Sequence, residues 1–240
     1  MLMARIGEKM NIPVVNYFPP TAWVWGEWRA KWMARYNAVI AATLPMEEKI
    51  YKKSGADVKF VGHPLLDIVE VDKSKEQIAS EFELNLDKPI IALMPGSRRA
   101  EVEELAPEMF RAAEKLQAEN PEFQFVLPLA QGVDRDLIAG QAGSYNLILK
   151  IIEDASYEVM KISDLVVTAS GTAALESMIL ETPMIVVYKT DWTTYQLGTR
   201  LMNTDYISLP NIIAGKEIVP EFIQGKVTAE NIYDKVNYFL

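Results

Sequence analysis

Cysteine is absent from the 240 residues, so neither a disulfide framework nor a thiolate metal site can form. Also missing is any run of about 18 apolar residues, the length needed to cross a bilayer as a helix. The opening decade carries Arg5, Glu8 and Lys9 where a secretory leader needs unbroken apolar sequence. The sequence therefore reads as that of a cytoplasmic protein. Basic residues are in the minority, with 24 Lys and Arg against 33 Asp and Glu and a formal charge of -9. That balance argues against a nucleic-acid partner, which would call for a basic face. Neither the dinucleotide fingerprint GxGxxG nor the phosphate-loop pattern GxxxxGK[ST] occurs. What the chain does have is apolar content, half of all residues, enough for one large core or two ordinary ones.

Apolar runs of strand length alternate with helical patterns, as in parallel sheets covered by helices. Strands are expected at 13–18, 38–44, 58–61, 89–94, 124–129, 146–151, 165–169 and 184–188, with a ninth at 206–209. Helices are expected at 27–36, 47–53, 75–82, 101–119, 134–142, 156–162, 172–180 and 192–202. The polar stretch 67–75 reads as a linker, dividing a first domain at 1–66 from a second at 76–240. The first opens with a short amphipathic helix and supplies only three strands, like the back half of a Rossmann-like domain. No internal repeat is evident.

Two strand-to-helix junctions carry most of the functional signal. In the first, an apolar strand runs into Gly96, Ser97 and Arg98 and then a helix; in the second, a strand runs into Ser170, Gly171 and Thr172 and then a helix. Backbone N–H groups at a helix start suit a phosphate. Arg98 has the forked geometry to bond two phosphate oxygens, the plainer reading being a surface arginine that offsets the acidic run Glu101, Glu103, Glu104. Gly96 allows close backbone approach, and Ser97 could be simply a helix cap. Glu176 lies one turn beyond Thr172, where a carboxylate can accept both hydroxyls of a ribose; its apolar neighbours also fit a buried structural residue. Two such junctions in one sheet imply a nucleotide or nucleotide-sugar site.

Other features read more plainly. Trp23, Trp25, Trp28 and Trp32 fall within ten residues, interleaved with Arg29, Lys31 and Arg35. The spacing of the last three is that of a core-facing stripe, while tryptophan beside basic residues also suits a membrane interface or an acyl groove, with Trp23, Trp25 and Trp28 as its contacts. Asp134 and Asp136 have a metal-holding spacing, but acidic residues are favoured at a helix start anyway. His63, the one histidine, invites a general-base role, with a structural hydrogen bond the plainer reading.

Six segments together, 19–25, 60–64, 95–102, 169–176, 204–215 and 219–224, make the chain resemble lipid-A-disaccharide synthase, in that family's order and over nearly the whole length. The resemblance implies a two-domain inverting glycosyltransferase of the B fold, its two Rossmann-like parallel sheets represented here by an incomplete first and a second truncated at its C-terminal end. It implies transfer of 2,3-diacylglucosamine from UDP onto 2,3-diacylglucosamine 1-phosphate, with release of UDP, in lipid A and lipopolysaccharide biosynthesis. It places UDP against Gly96, Ser97, Arg98, Ser170, Gly171, Thr172, Glu176 and Asn211, the last in a Leu-Pro-Asn segment that alone would read as a turn. The family's glycine-rich loop and catalytic aspartate lie upstream of anything present, so the resemblance implies no catalytic residue in this chain and no transfer by it alone. No metal or cofactor is expected. Peripheral contact with the cytoplasmic face of the inner membrane is implied, against which the acidic charge counts. Another B-fold UDP-sugar enzyme, an epimerase or a peptidoglycan-precursor transferase, and an inactive UDP-binding fragment stay open.

Overall fold

The computed structural model describes residues 2–24, 26–36, 39–201 and 204–240, and the chain divides into two compact units. The first comprises Met1–Ile68 with Asp191–Asp205, the second Val69–Thr190 with Tyr206–Leu240. The break thus falls at 68/69, at the start of the expected linker, and the segment around 191–205 groups with the first unit rather than continuing the second.

In the first unit, α1 (Leu2–Lys9), β1 (Val15–Tyr17), α2 (Trp28–Tyr36), β2 (Val39–Ala42), α3 (Pro45–Lys53), β3 (Val58–Phe60) and α4 (Leu65–Ile68) follow in order. The strands form a three-stranded parallel sheet in the order β1-β2-β3. Its core gathers Met33, Ile40, Tyr51 and Val58, with Trp32 packed partly buried against them. Helix α3 starts where Pro45 can occupy the first turn, and Glu47 reaches back to accept the Thr43 and Leu44 N–H groups at 2.9 and 3.1 Å. That bonding explains why a carboxylate only 3% exposed is tolerated.

The second unit is built from α5 (Lys75–Glu81), β4 (Ile90–Met94), α6 (Arg99–Glu119), β5 (Gln124–Leu129), α7 (Arg135–Ala142), β6 (Leu149–Glu153), α8 (Ser156–Ile162), β7 (Leu165–Ala169), α9 (Thr172–Ile179) and β8 (Met184–Tyr188). After α10 (Trp192–Leu201), which groups with the first unit, it resumes with α11 (Leu209–Ala214), β9 (Glu221–Ile223) and α12 (Ala229–Phe239). Its six strands are parallel, in the order β6-β5-β4-β7-β8-β9. Strands β4, β7 and β8 are Ile, Leu, Val and Met-rich because both faces are covered. Ile91, Leu93, Val167 and Val187 point to a core shared with α6 and α12; Ile90, Ala92, Val166 and Val186 point to one shared with α5, α8 and α9.

Strand order reverses between β4 and β7, which are paired with Leu93 opposite Val167 and Met94 opposite Thr168. From β4 the chain steps outward to β5 and β6, then returns to β7 on the other side. The carboxyl ends of these two strands therefore open a crevice from which α6 and α9 diverge, the place where open α/β sheets bind ligands.

Two expected elements differ. The strand expected at 206–209 is instead the entry to α11, with Ser208 as N-cap, Pro210 in the first turn and Gly215 at φ 64 ending the helix. The sixth strand lies two to three residues later than expected, at Leu149–Glu153. Strand β9 and helix α12 have no counterpart in the sequence reading.

Candidate functional site

Both junctions converge on one cavity of about 160 Å³, lined by Met94, Gly96, Ser97, Glu101, Pro128, Ala130, Ser156, Thr168, Ala169, Ser170, Gly171, Thr172, Ala173 and Glu176. Six of the eight residues assigned to UDP by sequence, Gly96, Ser97, Ser170, Gly171, Thr172 and Glu176, thus line a single space. At the β7 junction the helix begins at Thr172 after Gly171, which has no side chain to cap the first N–H groups of α9. The Thr172 side is exposed, while the Ser170 hydroxyl donates to the Ile207 carbonyl at 3.4 Å.

The β4 junction is built differently. Gly96 has φ 120, in the left-handed region, and a Cβ there would lie 2.5 Å from Glu101 Oε2, so only glycine fits the turn. Helix α6 starts at Arg99 with Arg98 as its N-cap, so Ser97 is not the cap the sequence allows. Glu101, at the third helical position, reaches back: Oε2 accepts the Ser97 N–H at 3.3 Å and Oε1 accepts Arg98 Nη1 at 2.7 Å. The Arg98 side chain is 81% exposed and does not line the cavity.

Glu176 is partly buried at the boundary between this cavity and a second of about 310 Å³, lined by Leu129, Gln131, Asp154, Ser156, Tyr157, Glu158 and Glu176. Burial raises the Glu176 pKa above the usual carboxylate value, and a hydrogen bond from the Tyr157 hydroxyl pulls it partly back. The Tyr157 phenol is raised in turn, by burial first and by the Glu176 charge second.

Asn211 requires a correction. It is 0% exposed, and its amide is fully used: Nδ2 donates to the Val219 carbonyl at 2.8 Å and to Glu221 Oε1 at 2.7 Å, while Oδ1 accepts the Ile218 and Val219 N–H groups at 2.7 and 3.0 Å. No polar atom of Asn211 is left for a nucleotide. Glu221 in addition accepts the Ile207 N–H, the Ser208 N–H and the Ser208 hydroxyl at 2.9, 3.0 and 2.6 Å, capping α11 from a neighbouring strand. The Leu-Pro-Asn signal is architectural: it fixes the segment whose Ile207 carbonyl meets Ser170.

Of the tryptophans, Trp28 is 62% exposed, Trp23 is half-buried with an indole nitrogen that has no partner among the described residues, and Trp25 lies outside the described residues. The Asp134 carboxylate caps α7 by accepting the Asp136 N–H at 2.9 Å, and Arg135 pairs with Glu153. His63 Nδ1 accepts the Leu65 N–H at 3.2 Å, and burial lowers the ring's pKa, with the Glu47 charge opposing it. Among the described residues no helix is long and apolar enough to cross a membrane.

Comparison with known proteins bears on the family and the fold. The family model described as lipid-A-disaccharide synthetase matches residues 5–240. The lipid-A-disaccharide synthase of Geobacter sulfurreducens is 35% identical over 240 residues, all of this chain and 62% of that protein. That of Syntrophus aciditrophicus is 39% identical over 231 residues, 96% of this chain and 60% of that protein. The chain spans about 60% of the length of these curated relatives. A UDP-GlcNAc 2-epimerase from Neisseria meningitidis, solved with UDP-GlcNAc, superposes with TM-score 0.60 at 15% identity, over 98% of this chain and 63% of that one. The E. coli ADP-heptose lps heptosyltransferase II does so with TM-score 0.52 at 12% identity, over 98% and 72%. These two likenesses establish the fold, the two parallel-sheet architecture of B-fold glycosyltransferases.

Proposed function

The chain belongs to the lipid-A-disaccharide synthetase family, and we propose that its second unit holds the UDP of a nucleotide sugar during glycosyl transfer. The reaction proposed is the one the sequence resemblance implies: a 2,3-diacylglucosamine unit leaves UDP, with inversion, for the hydroxyl of 2,3-diacylglucosamine 1-phosphate. What supports the reading is the convergence of two helix starts on one cavity at the strand-order reversal, with Glu176 one turn further in.

The chemistry asked of this unit is to make UDP a good leaving group. As the glycosidic C–O bond breaks, negative charge grows on the diphosphate, and donors fixed beforehand lower the barrier. The first N–H groups of α9 are such donors; the Ser97 N–H and Arg98, both engaged by Glu101 in the structure, join them on binding, with no metal or cofactor in the scheme. Glu176 accepts the ribose hydroxyls, and the base extends toward Gln131 and Tyr157 in the adjoining chamber. Contact with the cytoplasmic face of the inner membrane, where acylated substrates reside, belongs to the same proposal.

UDP binds the folded state only, so it should raise the melting temperature by mass action. Arg98→Ala should weaken binding by roughly 1.5–3 kcal/mol, the range for a hydrogen bond to a charged group. Thermal melts of both proteins across a UDP series test this; equal protection would remove Arg98 from the site.

A further inference from the structure

Glu101 belongs to no role given so far, and its position is unusual for a carboxylate in a phosphate site. It lines the cavity beside Gly96 and Ser97, and none of the cavity's lining residues is a lysine, arginine or histidine. Its two oxygens take the Ser97 N–H at 3.3 Å and the Arg98 guanidinium at 2.7 Å, the donors that the proposed function assigns to the diphosphate. The carboxylate also lies against the open face of Gly96, where a single added carbon would come within 2.5 Å of Oε2. The backbone surface that glycine leaves bare for a ligand is therefore covered by the chain's own anion. At the β7 junction the N-cap is Gly171, which has no side chain, and Glu176 stands one turn further along α9 instead of at its start.

We infer that the Glu101 carboxylate stands in for a ligand phosphate at the β4–α6 junction, so that binding a nucleoside diphosphate is an exchange of anions on the Ser97 N–H and Arg98. The inference rests on the UDP reading of this cavity and deepens it. A diphosphate cannot share these donors with a carboxylate a few ångströms away, because like charges at that distance repel. Glu101 swings out, and Arg98 transfers from it to the phosphate. The exchange is easy because an ion pair whose arginine is 81% exposed is held weakly. In the structure the carboxylate satisfies the Ser97 N–H and neutralises Arg98. The same negative charge makes the site demand a strong anion and turn away weakly charged ligands.

A role in which Glu101 aims Arg98 at the ligand gives the opposite sign, and titration distinguishes the two. UDP and uridine are titrated calorimetrically into the 240-residue chain, Glu101→Gln and Glu101→Ala. Glutamine keeps the shape and an acceptor for the Ser97 N–H, so the turn survives; alanine removes the acceptor and provides a second reading. Exchange predicts UDP binding roughly tenfold tighter in Glu101→Gln, about 1.4 kcal/mol, and tighter also in Glu101→Ala. It predicts unchanged uridine affinity. Unchanged or weaker UDP binding by both variants, or an equal gain for uridine, would overturn the exchange while leaving the UDP reading intact. Failure of all three proteins to bind UDP would overturn that reading, and the exchange with it.

Discussion

Glu176 holds a carboxylate where burial penalises its charge, with the Tyr157 hydroxyl as compensation. A paired-hydroxyl ligand suits such a group, because it supplies two donors to an acceptor short of water. Glu176→Gln keeps the shape and one acceptor oxygen. Titrating UDP and 2′-deoxy-UDP into both proteins gives four affinities, and the cross-difference is expected at roughly 1–2 kcal/mol. A cross-difference of zero would make Glu176 structural. The pH dependence has a definite sign: the charged form binds, so UDP affinity falls as pH drops through a pKa lying above 4.5. The ligand's own phosphate titrates near pH 6 in both proteins, so the limb belonging to Glu176 is the difference between wild type and the glutamine variant. The glycines separate by geometry. Gly96→Ala meets Glu101 at a left-handed φ and should cost roughly 1–3 kcal/mol of stability. Gly171, at φ 171 with nothing within 4 Å of an added Cβ, should accept alanine without loss of melting temperature but bind UDP more weakly, since the methyl enters the cavity. Melts and titrations of the two variants check both halves. Legibility followed the same lines: Gly96, Ser97, Ser170, Gly171, Thr172 and Glu176 stand in local strand-turn-helix patterns. Glu101 reads in sequence as part of an acidic run, and Tyr157 as an ordinary helix residue; only folding brings each against the site.

At the scale of elements, buried strands were the most legible. Strands β5, β7 and β8 lie at the expected bounds, because a parallel strand covered on both faces is an unbroken apolar run. The edge was not. Strand β9 has three residues, each half-buried, too few to show a period. Helix α11 carries its signal in Ser208, Pro210 and Gly215, but its start is capped by Glu221, which comes from further along the chain. Asn211 was misplaced for the same reason, since all its partners lie at 218–221, and a polar residue between apolar ones does not say whether it faces ligand or backbone. Asn211→Ala would take one partner each from the Ile218 and Val219 N–H groups, the Val219 carbonyl and the Glu221 carboxylate, and would leave a gap where a fully buried side chain stood. The expected cost is about 3 kcal/mol of unfolding free energy, measurable by urea titration. A loss below about 0.5 kcal/mol, the scale of a neutral surface change, would contradict the architectural role. Because the segment also meets Ser170, UDP affinity should weaken in the same variant even where it is fully folded.

For the molecule as a whole, the proposal is one of place: a chain of net charge -9 would take an anion where two helix starts meet at the strand-order reversal, with Arg98 as the N-cap of α6. The most direct measurement is amide hydrogen exchange across the chain with and without saturating UDP, read residue by residue. The account predicts added protection at 96–101 and 170–176, weaker protection at 154–157, and none at the opposite end of the sheet around 121–125 and 148–150, where another hollow of about 280 Å³ is lined by Lys88 and Lys150. Protection at that opposite end, with both junctions unchanged, would contradict it.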